Sequence, residues 1–138
     1  MPIFKQDNEH FDVNKIIQHW IETSDEDHQT MLSLFSSGAF TWALFLGHLC
    51  IEKLLKANYV KVQKRHAPFL HNLYRLAELG DLDVTDELNE YLDRITTFNI
   101  NARYDDYKQS FYQLCTDSFT AEWIDKIKDC RLWIKTML

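Results

Sequence analysis

Apolar residues return along this chain at intervals of three and four. Val13, Ile16, Ile17, Trp20 and Ile21 share one face of a helix. Met31, Leu32 and Phe35 resume the pattern after the charged stretch SDEDHQ. The spacing predicts one long helix over about residues 11–36, with room for a break near Thr23, stopped by Ser36, Ser37 and Gly38. A second helix is predicted over 39–64. Phe40, Leu44, Gly47, Ile51, Leu54, Asn58 and Val62 make its stripe, and Trp42, Phe45, Leu46 and Leu49 fill most of the remaining surface of its first half. A helix apolar nearly all round belongs at the centre of a bundle.

Pro68 breaks the pattern. A short helix over 72–79 follows, with Gly80 as its C-terminal stop. Thr85 can cap a fourth helix in which Leu88, Leu92 and Ile95 share a face. Residues 98–107, FNINARYDDY, show no helical apolar period and read as a connecting loop. Thr120 can cap a last helix, with Trp123, Ile124, Ile127, Ile134 and Leu138 facing inward. No alternating run is long enough for a sheet, and there is no repeat and no linker. The expected fold is all-α: an up-and-down bundle of about five helices on two long antiparallel helices, one domain over 1–138.

Composition narrows the function. The chain has 138 residues, 46% of them apolar and 14% aromatic, enough for one sizeable core. Its formal charge of -6 excludes a uniformly basic, nucleic-acid-coating surface, though a local basic patch stays open. Cys50, Cys115 and Cys130 have no zinc-type spacing. With no signal peptide and no apolar run of membrane length, the expected setting is the reducing cytoplasm, with free thiols.

Three stretches hold the candidate chemistry. His48, Glu52 and Lys56 stand at i, i+4 and i+8 on the central helix, beside Lys53. They either line a polar cleft or form an intrahelical network with Glu52 and Lys56 paired. His71, next to the cap candidate Asn72, is either tied to backbone or part of an anion grip with His48 and Arg103. Arg103, with Asn99, Asn101 and Tyr104 around it, offers a planar fork suited to phosphate or carboxylate. It either serves such a ligand or pairs with Glu52, Asp105 or Asp106 and holds the loop. Asp105 and Asp106 are adjacent, which does not make a metal site. Lys61, Lys64, Arg65 and His66 complement the carbonyl end of their helix or mark a basic patch.

FTWALFLGHLCIEKLLKANYV, with His48, Glu52, Lys53, Lys56 and Ala57, resembles the second helix of HEPN domains (higher eukaryotes and prokaryotes nucleotide-binding). PFLHNLYRLAEL and NINARYDDY resemble two further elements of that family, with Asp105 where proline is common. The resemblance covers nearly the whole chain in order and spacing. It implies a helical bundle that dimerises, binds nucleotide or RNA phosphate, and works beside a minimal nucleotidyltransferase in a toxin–antitoxin pair. It implies no cofactor. Ribonuclease members use arginine followed by histidine after four to six residues. Arg103 matches the arginine, but Lys108, Gln109 and Ser110 stand where the histidine belongs. The resemblance therefore leans against catalysis by the family's usual route and leaves no catalytic residue assigned. Two other readings remain: a ribonuclease in which His48 or His71 replaces the missing histidine, and a structural dimerisation module.

Overall fold

The structure is a computed structural model that describes residues 11–138, without the side chain of Asp105. The opening residues, on which the reading of no signal peptide rests, lie outside it. Six helices and no strand occur among the described residues: α1 (Val13–Ser36), α2 (Phe40–Gln63), α3 (Leu73–Leu79), α4 (Asp86–Arg103), α5 (Asp105–Leu114) and α6 (Asp117–Met137).

α2 is the axis, and it touches each of the other five helices. Its first half is apolar nearly all round, so burial on every side is its stable state. α1 returns along it antiparallel. Trp20 lies over Lys56, the Ser24 hydroxyl donates to the Cys50 carbonyl at 2.8 Å, and Met31 faces Gly47. Gly47 is where three helices meet: a Cβ there would lie 2.5 Å from the Ile127 side chain of α6 and 3.1 Å from the Met31 sulfur. The core continues through Leu54, Ile95, Phe98 and Ile134.

The helix boundaries follow local chemistry. Asn72 and Thr85 cap α3 and α4 through their side chains, and Gly80 ends α3. Two expectations are corrected. Residues 98–107 are not a loop: α4 continues through Arg103, turns at Tyr104 alone, and α5 begins at once. The missed period is Ile95, Phe98, Asn99 and Ala102, at i, i+3, i+4 and i+7, all buried. One of the four is an asparagine, which hides the stripe. The last helix is capped by Thr116, whose hydroxyl accepts from the Phe119 N–H at 3.2 Å, and not by Thr120, which is buried inside it.

Candidate functional site

The polar residues of α2 point toward α4 and the loop before α3, and there they meet. Glu52 is 5% exposed and Lys56 7%. Their ion pair closes at 3.3 Å. The Lys56 ammonium also lies 5.4 Å from the Trp20 ring centroid, so α1 roofs this end. The other oxygen of Glu52 accepts from His71 Nδ1 at 2.6 Å. The His71 side chain is 62% exposed, with its anchored edge inward and its Nε2 edge uncommitted among the described residues.

His48 is fully buried. One ring nitrogen meets the His71 carbonyl at 2.9 Å and the other meets the Asn99 amide nitrogen at 3.2 Å. A carbonyl can only accept, so Nε2 carries the proton and Nδ1 is the acceptor. Burial holds the imidazole below its usual pKa, against the hydrogen bond to His71 and the charge of Glu52, so it is neutral near pH 7. The 4.0 Å separation of His48 from Glu52 is therefore not an ion pair.

Asn99 links this histidine to Arg103. The guanidinium donates to the Asn99 side-chain oxygen, and Nε donates to the Asn99 carbonyl at 3.2 Å. With its oxygen engaged by arginine, the amide must turn its NH2 toward His48. Phe45 and Tyr104 flank the guanidinium at 5.9 and 5.4 Å from their ring centroids. Arg103 itself is exposed. The result is one continuous chain of polar contacts: Arg103, Asn99, His48, the His71 backbone, and from the His71 ring to Glu52 and Lys56.

The structure thus brings together six of the nine sequence candidates. Lys53 is not among them, because it bridges to Asp27 of α1 at 2.8 Å. Asn101 lines a separate shallow cavity with Tyr107 and Ser110. Tyr104 touches only the guanidinium end. The expected Arg103–Glu52 pair does not form, since Glu52 is already satisfied by His71 and Lys56 and Arg103 by Asn99. Phe45 and Trp20, which wall the two ends, read from sequence as core aromatics, and their spacing carries no sign of this role. Among the described residues no group of His, Cys, Asp or Glu is arranged to hold a metal. The three thiols are buried, and burial pushes Cys50 and Cys115 up to about 11 and Cys130 to about 12, so none is a ready nucleophile.

A match to the HEPN domain extends over residues 17–136. The chain belongs to the HEPN family. No curated protein matches it. Among solved structures, the crystal structure of TT1696 from Thermus thermophilus is similar, with a TM-score of 0.73 and 20% identity over 88% of this chain and 98% of that one. At that identity the likeness speaks for the fold. In this HEPN domain, Lys108 and Gln109 line a cavity of about 270 Å³ with Thr41, Trp42 and Ala102, and no histidine stands there.

Proposed function

We propose that this HEPN domain binds a nucleotide or an RNA phosphate at the end of the polar chain where Arg103 emerges, with His71 as the second ligand-facing group. The observation that supports this reading is that buried groups orient two exposed nitrogen groups, the Arg103 guanidinium, which is a donor, and the outer His71 nitrogen, which donates to an anion when the ring is protonated. Asn99 aims the guanidinium, and Glu52 aims the imidazole. Such pre-orientation lowers the entropy lost when an anion is gripped. A planar fork with donors left over suits a phosphate. The domain acts as a homodimer, beside a nucleotidyltransferase-like partner in a toxin–antitoxin pair.

The test is thermal melting with added inorganic phosphate and mononucleotides. A ligand of the native state must raise the melting point. The expected result is a rise in the wild type that is lost in Arg103→Ala. A melting point indifferent to every anion would refute the reading.

One observation favours a second reading, a ribonuclease with an altered catalytic set. The Glu52 carboxylate on His71 Nδ1 leaves Nε2 outward, the arrangement of an oriented acid–base histidine. His48 cannot serve that role, because it is buried and both its nitrogens are engaged. RNA cleavage without divalent metal, abolished in His71→Gln, would decide for the enzyme. A binding module leaves the RNA intact.

A further inference from the structure

From Lys53 to Ala77 the chain has no Asp or Glu, but six Lys or Arg and two histidines, within a protein of net charge -6. Three of those cations are engaged along α2: Lys53 with Asp27, Lys56 with Glu52, and Lys61 with the Met137 carbonyl at 2.6 Å. Arg75 pairs with Glu78. Lys64 and Arg65 form no ion pair among the described residues, and both are exposed. They line a cavity of about 240 Å³ with His66 and Phe11.

Phe69 stands on the same loop and is 105% exposed, the full accessibility of an unpacked side chain. The loop beneath it is tied at both ends. Lys64 closes α2 in the left-handed conformation, with φ 58° and its N–H on the Val60 carbonyl at 2.9 Å. His66 packs edge-on against Phe11 at 4.6 Å, and His71 is held by His48 and Glu52. A bare phenyl ring is therefore presented on an anchored support, two residues from His71 and so at most about 7 Å from it along the chain.

We infer that the loop over residues 64–72 is a docking tip for single-stranded nucleic acid, with Phe69 stacking on a base and Lys64 and Arg65 meeting backbone phosphates. The inference rests on the anion-binding reading of Arg103 and His71 and extends it from a single phosphate to a strand. Stacking needs one ring and tolerates any base, and cations beside that ring supply the rest of the site. A protein anchor instead sits within a wider apolar patch that excludes water. Here the other exposed residues of the loop are Lys64, Arg65, His66, His71 and Asn72, all polar.

The experiment is fluorescence anisotropy with labelled single-stranded RNA and DNA of roughly a dozen nucleotides, within the usual span of such sites. Phe69→Ala should weaken binding roughly tenfold, and Phe69→Trp should restore it with quenched emission. Because Phe69 packs against nothing, both variants should melt as the wild type does. Lys64→Gln combined with Arg65→Gln should flatten the dependence of log Kd on log salt by about 1.4 for the two lost charges. Wild-type affinity in Phe69→Ala would overturn the inference. If phosphate still raises the wild-type melting point in that case, the anion site stands and only the tip falls. If strand binding depends on Phe69 while phosphate leaves the melt unchanged, the tip stands and the Arg103 reading falls. A glutamate-rich peptide bound through Phe69 by a protein that ignores the oligonucleotides would also overturn it, in favour of an acidic protein partner.

Discussion

Arg103 and Glu52 are the two charges on which a site of this shape depends, and they differ in what surrounds them. Glu52 is buried and satisfies two cationic or protonatable neighbours. Removing it strands the Lys56 ammonium in a nearly dry environment and frees the loop histidine. Glu52→Ala should therefore destabilise the fold by on the order of 3 kcal/mol. Arg103 is exposed, and water can replace what Asn99 gives it. Arg103→Ala should cost no more than about 1 kcal/mol, even though it removes the fork proposed to hold the ligand. Urea denaturation of both variants reads the contrast. Equal costs would mean that Arg103 is a structural tie after all. The neutral state of His48 belongs to the same logic, because a charge on that ring would face Asn99 and the Arg103 guanidinium without a counter-ion in hydrogen-bond contact.

At the scale of elements, the regular helices are readable from the sequence and the irregular junction is not. α1, α2 and α3 begin and end within a residue or two of where periodicity and capping residues put them. The stretch from α4 to α5 departs from this. Asn99 occupies an inner position for its hydrogen bonds, so the end of α4 looks like solvated chain. Thr116 and Thr120 lie four residues apart, and both satisfy a cap rule, so only packing decides between them. The candidates on α2 are legible as a row, since spacing alone places them together. Their meeting with Asn99 depends on how α4 crosses α2, which no local pattern encodes. α5 also offers a candidate face for the proposed dimer. Tyr112 on α5 and Trp42 on α2 are both exposed and line a cavity of about 500 Å³ with Phe40 and Cys115. Exposed rings around such a hollow suit a self-complementary contact. Light scattering should give twice the 16.5 kDa chain mass, shifted toward monomer by Tyr112→Glu. A clean wild-type monomer at micromolar concentration would count against the dimer.

The whole molecule should lose stability on mild acidification, and the reason is distributed over two histidines. His28 sits on α1, with neither ring nitrogen hydrogen-bonded among the described residues. Burial lowers its pKa first, and the charges of Arg131 and Lys128 on α6 lower it further, against Asp25. His48 is lowered by burial as well. Both groups bind a proton less readily folded than unfolded, so the unfolded chain takes up more protons and stability rises with pH. Their contribution is complete above the ordinary histidine value of about 6.5 and fades as the pH falls below it. Asp25 responds at more acidic pH. Burial alone would raise its pKa, but hydrogen bonds from Lys135 and Arg131 bring it below the usual value. Melts from about pH 7.5 down to about 5, the range that brackets the histidine value, should show the decline, and His28→Leu should flatten it. A flat wild-type profile would contradict this account. The polar chain from Arg103 to Glu52 has a last consequence, for descent. Each of its members dictates the orientation of the next, so a replacement at Asn99 strands a donor on one side and an acceptor on the other. Positions 48, 99 and 103 are therefore expected to be inherited as a set, changing together in related lineages or not at all.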